Sequence, residues 1–76
     1  MKKMKISLSS IEDVKEFVAL TNSYSFDSDL VSGRYAVDAK SIMGIFSLDL
    51  SKELTLNIHS DDCADFLDAI KKYIVK

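Results

Sequence analysis

Met4, Ile6 and Leu8 alternate with Lys5 and Ser7, the period-two pattern of a strand with one buried face. Ser9 and Ser10 then precede Ile11, Val14, Phe17, Val18 and Thr21 at helical spacing, and Ser9 with Glu12 matches an S-x-x-E capping box, so a helix is predicted over roughly 10–22. Phe26, Ser28 and Leu30 alternate with acids, Ser32-Gly33 is a turn signal, and Tyr35, Val37 and Ala39 alternate on the return, which predicts a hairpin. KSIMGIFSL, from Lys40 to Leu48, is more apolar than one face of a short helix can bury. A helix at about 41–49 anchored by Ile45, Leu48 and Leu50 leaves Ile42, Met43 and Phe46 at least partly exposed as one patch. Leu54, Leu56 and Ile58 alternate with Thr55, Asn57 and His59 as a fourth strand. Asp61 or Asp62 then caps a last helix whose apolar positions are Cys63, Phe66, Leu67, Ile70, Tyr73 and Ile74, with Lys71, Lys72 and Lys76 complementing its C-terminal dipole.

The order β-α-β-β-α-β-α, with one apolar face per strand and one apolar stripe per helix, predicts a two-layer α+β sandwich. Seventy-six residues set the expectation of one domain over 1–76, and 47% hydrophobic with 29% charged residues is the composition of a folded domain. Ten basic and twelve acidic residues, without a block of either sign, argue against direct nucleic-acid binding. The basic opening MKKMKISL is not followed by a long apolar run, so neither a signal peptide nor a membrane segment is expected, and the chain is assigned to the cytoplasm. Two glycines and no proline leave no phosphate-cradling loop, and no nucleotide cofactor or enzymatic activity is expected. The lone Cys63 reads as a small buried hydrophobe, and one histidine without partners at ligand spacing does not make a metal site.

KSIMGIFSL resembles the regulatory-serine segment of HPr, the histidine-containing phosphocarrier family of the bacterial sugar phosphotransferase system, and Lys40 to Gly44 stand as in many members. The element order is also that family's, an open-faced β-sandwich with a four-stranded antiparallel sheet and three helices on one face. The resemblance implies a histidine at the N-terminus of the first helix that accepts phosphate from phosphoenolpyruvate through enzyme I. Counting back from Ser41 sets Ser10 there, and allowing one inserted residue in the hairpin sets Ser9 there. The family's arginine beside that histidine is replaced by Glu12 and Asp13, so Ser9, Ser10 and Glu12 form a degenerate carrier site. A phosphohistidine hands its phosphoryl group onward, whereas a serine ester is stable and relays poorly. The family's topology sets His59 about 15 to 20 Å from the first helix's N-terminus at ~3.3 Å per residue, on the exposed sheet face.

Within this family the catabolite-repression HPr lacks the active histidine yet keeps the serine segment. The resemblance therefore implies a regulatory or binding module with Ser41 as phosphoacceptor, Ile42, Met43 and Phe46 as contact patch and Lys40 as a rim charge. Its implied partners are an HPr kinase and a transcription regulator, and the chain itself is expected to be a monomer or weak homodimer. Two alternatives stand beside this reading: a phosphocarrier with a non-standard acceptor, and an HPr-fold interaction module unconnected to sugar transport.

Overall fold

The computed structural model describes residues 2–75. Its elements run β1 (Lys2–Ile6), α1 (Ile11–Asn22), β2 (Ser28–Ser32), β3 (Tyr35–Asp38), α2 (Ile42–Phe46), β4 (Leu54–Ile58) and α3 (Ala64–Ala69), followed by a 3-10 turn over Lys71–Tyr73. The strands form one antiparallel sheet in the order β1-β4-β2-β3, and three helices complete the α+β fold. β4 is the strand whose inward positions, Leu54, Leu56 and Ile58, are all fully buried, and it takes a central place with Leu56 between Met4 and Leu30. Ile6, Leu30, Ala39, Val14, Phe17, Ile45, Phe66 and Ile70 complete the core from the other elements.

Two local devices hold the connections. The β2–β3 hairpin closes through Gly33 and Arg34, with Gly33 at φ +59° and no non-glycine residue at positive φ among the described residues. Positive φ at the first loop position alone is the II′ pattern, which matches the twist of paired strands and favours glycine there. Thr21 is buried at the end of α1, its hydroxyl 2.9 Å from the Val18 carbonyl and 3.0 Å from the Ala39 carbonyl, so the helix end is tied to the end of β3. A buried hydroxyl needs such a partner, since leaving one unmade costs about 1–3 kcal/mol.

The structure corrects several expectations from the sequence. α1 is capped by Ser10 rather than Ser9, and Asp13 rather than Glu12 reaches back, because burying Val14, Phe17 and Thr21 sets the helix one residue later. α2 ends at Phe46 rather than near 49, yet the turn continues as i to i−3 bonds, Ser47 N–H to the Gly44 carbonyl and Leu48 N–H to the Ile45 carbonyl. Neither Asp61 nor Asp62 caps α3: Cys63 takes the N-cap position without a side-chain bond. Its burial draws it inward and leaves the aspartates in an exposed turn, where the Ser60 hydroxyl accepts from Asp62 N–H. The last helix also stops before Tyr73 and Ile74, since the following chain turns onto β1, where Ser7 N–H donates to the Tyr73 carbonyl and Ile74 pairs with Ile6. Tyr35 alternates as expected but lies 73% exposed at the hairpin end, and Leu8 is buried beyond the end of β1. Lys76 lies outside the described residues.

Candidate functional site

Ser41 is the N-cap of α2, with extended backbone (φ −99°, ψ 107°), and its Oγ accepts from Gly44 N–H at 3.2 Å. A Cβ on Gly44 would stand 3.2 Å from both Ser41 Oγ and Val37 Cβ. A side chain there would make Ser41 and Val37 give by a few tenths of an ångström, so glycine allows a close approach of α2 to β3. Ile45 and Leu48 point into the core as predicted, and Leu50 packs against it partly buried. Of the three residues expected to form an apolar patch, Met43 is 77% and Phe46 40% exposed, whereas Ile42 is half-buried and packs against the core. Lys40 donates its backbone N–H to Asp38 Oδ1 at 2.9 Å, and its ammonium stands 3.9 Å from Asp27.

The residues expected to form a degenerate carrier site, Ser9, Ser10 and Glu12, lie at the other end of α1. There Asp13 Oδ2 accepts from Ser9 N–H at 3.2 Å and from the Ser9 hydroxyl at 3.1 Å, while Ser10 Oγ accepts from Asp13 N–H at 3.1 Å. A helix N-terminus offers amide donors and a favourable dipole to an anion. In this chain the anion beside the first turn is its own carboxylate. Glu12 and Ile11 are exposed alongside, Ile11 to 61%.

The structure does not bring the two groups of predicted residues together. Asn22 Nδ2 reaches the Lys40 carbonyl at 3.3 Å, so Ser41 belongs to the C-terminal end of α1, about 18 Å along a twelve-residue helix from Ser10. His59 follows β4 at the end where Ile58 faces Lys2, at the opposite end of β1 from the α1 entrance. Its Nε2 is 2.7 Å from Asp29 Oδ2. Asp29 also faces Asp38 across β2 and β3, and the histidine has in Asp29 a structural hydrogen-bond partner. Asp13 is the site residue whose contacts sequence reasoning missed. The signal was Ser10-x-x-Asp13, a capping pattern one residue downstream of the one chosen.

Among the described residues, no group of three or more His, Cys, Asp or Glu could hold a metal, and no helix is long and apolar enough to cross a membrane. A surface depression of about 420 Å³ lies between the β2–β3 hairpin and the segment after α2, lined by Arg34, Tyr35, Ser47 and Lys52 among others.

Comparison with known proteins gives a consistent picture. The family model described as the PTS HPr component phosphorylation site matches residues 13–76, a span that begins after Ser9 and Ser10. The fold is similar to HPr-C-His from Thermoanaerobacter tengcongensis, with TM-score 0.79 and 26% identity over 95% of this chain and 89% of that one. It is also similar to the phosphocarrier protein HPr from Bacillus anthracis str. Ames, with TM-score 0.73 and 24% identity over 97% and 96% of the two chains. No curated protein sequence matches.

Proposed function

Because this chain belongs to the HPr family of the phosphotransferase system, we propose that it is a cytoplasmic regulatory or binding module of that system which does not relay a phosphoryl group. The observation that carries this reading is the Asp13 carboxylate bonded to Ser9 N–H and Oγ at the entrance to α1. By resemblance, that entrance is where a carrier holds its phosphohistidine. A second anion arriving there meets the Asp13 charge at short range, which at ~5 Å costs on the order of 1 kcal/mol in water. Serine in place of histidine adds the chemical obstacle, since its phosphate ester has no labile N–P bond to break.

The surviving activity on this reading belongs to α2. Ser41 is the candidate acceptor for a kinase that phosphorylates the family's regulatory serine. A phosphate on its Oγ keeps the Gly44 amide as a donor, so the modification changes surface charge without melting the turn. Exposed Met43 and Phe46, with the half-buried Ile42 beside them and Lys40 at the rim, supply the contact surface for a protein partner such as a transcription regulator. The test is intact mass after incubation with enzyme I and phosphoenolpyruvate, and separately with HPr kinase and ATP. The expected results are no acid-labile phosphate in the first case and one acid-stable phosphate in the second, absent from Ser41→Ala. Acid-labile phosphate on His59 overturns the proposal.

A further inference from the structure

The two edges of the sheet are finished differently. β1 carries the C-terminal segment: Ser7 N–H donates to the Tyr73 carbonyl at 2.8 Å, Val75 N–H to the Lys5 carbonyl at 2.9 Å, and Ile6 pairs with Ile74. β3 has β2 on one side and no strand on the other among the described residues. Free edges are normally blunted by lysine, proline or a bulge. β3 and the Arg34 before it contain no lysine or proline, and β3 pairs with β2 in unbroken register.

The direction of each backbone group follows from one bond. Ala39 N–H donates to the Ser28 carbonyl, so Tyr35, Val37 and Ala39 turn their amides and carbonyls toward β2. The N–H groups of Ala36 and Asp38 and the carbonyls of Arg34 and Ala36 then point outward. That set is self-complementary in an antiparallel arrangement.

We propose that β3 is a self-association edge that pairs antiparallel with β3 of a second copy, in a register centred on Ala36. In this register Ala36 faces Ala36, and Asp38 N–H donates to the Arg34 carbonyl of the other copy, giving four backbone bonds by symmetry. The side chains select the same alignment. Arg34 lies opposite Asp38 of the other copy, twice, and exposed Tyr35 lies opposite Val37, an aromatic with β-branched pair. Sliding the pairing by two residues either way sets Arg34 or Asp38 against Ala36 and loses both ion pairs. Within one copy Asp38 faces Asp29, so the arriving guanidinium also offsets a like-charge contact.

A contact of about five residues per copy is small, so the dimer is weak and exchanging. Sedimentation of the full chain between roughly 0.05 and 1 mM is expected to show concentration-dependent dimerisation. Arg34→Asp is expected to raise the dimer Kd about tenfold, as is Asp38→Arg, and the double exchange should bring it back to within about threefold of the parent. Ala36→Pro removes an outward N–H without touching the β2 ladder and should abolish dimerisation while far-UV circular dichroism stays native. Phe46→Ala should leave the Kd unchanged. A protein that stays monomeric throughout this range overturns the proposal. So does a folded double exchange that fails to recover association, or a Phe46→Ala effect as large as that of the charge reversals.

Discussion

One residue, Asp13, determines what the first helix can offer a ligand. Its carboxylate gathers Ser9 N–H and Ser9 Oγ while its own N–H is held by Ser10, a reciprocal arrangement that satisfies groups the helix leaves without intrahelical partners. The acid also complements the positive end of the helix dipole. On the function proposed above, its structural and functional roles coincide: the group that caps α1 is the group that stands at the entrance. Replacing Asp13 by Ala should cost about 1 kcal/mol of stability, read as a fall of roughly 4–8 °C in the thermal midpoint for a domain of this size. An unchanged midpoint would show that these exposed bonds contribute nothing net. Ser10→Ala, which removes the other half of the arrangement, should have an effect of the same order.

At the scale of elements, α2 is five residues fastened by a buried stripe with its other face left open. Ile45 is fully buried and Leu48 nearly so, whereas Met43 and Phe46 project outward. Ile45→Ala is therefore expected to cost about 2–5 kcal/mol in a urea titration, and Phe46→Ala well below the ~3–5 kcal/mol of a buried phenylalanine. A Phe46→Ala loss as large as that of Ile45→Ala would mean the ring serves the core rather than a partner surface. This division was legible in the sequence because KSIMGIFSL carries more apolar residues than a short helix can bury, and the strands were legible because each alternates. Capping was less legible. Ser9 and Ser10 both precede an acid three residues later, and only the burial of Val14, Phe17 and Thr21 chooses between them. The end of α3 was hidden for a related reason. Ile70, Tyr73 and Ile74 keep helical spacing, but pairing of the tail with β1 outweighs continuation of so short a helix. The joining of Asp29 to His59 depends on strand order, which local periodicity does not carry.

For the whole molecule, a charged contact joins the C-terminal turn to the first helix, beside the backbone pairing of the tail with β1. Lys72 Nζ lies 2.5 Å from Glu16 Oε1, linking the 3-10 turn to the middle of α1, and stands 5.3 Å from the centroid of the Tyr73 ring. That ring packs edge-on against Phe17 at 6.1 Å and so connects the charged pair to the core. The Lys72 ammonium, and after it the Tyr73 hydroxyl, hold the Glu16 carboxyl below its usual range, while Glu16 holds Lys72 above its own. Burial, and then Glu16, push the Tyr73 phenol upward. The signs give opposite limbs. A carboxyl depressed in the folded state contributes stability above its unfolded value, about 4.3, and loses it as pH falls through the folded value. A lysine and a phenol raised in the folded state contribute fully below their unfolded values, about 10, and lose that contribution as pH rises through the folded ones. The contact is thus at full strength between about pH 5 and 9. Because Glu16 and Lys72 are exposed, the effect is small and weakened by salt. Glu16→Gln should be less stable than the parent near pH 7 at low ionic strength, with the difference shrinking in acid as pH falls through the depressed folded-state value of Glu16 and the parent carboxyl takes up its proton. Thermal midpoints of the two proteins across that range provide the measurement. A difference that stays constant from neutral to acid pH would assign the Glu16 contribution to packing of its side chain instead of its charge.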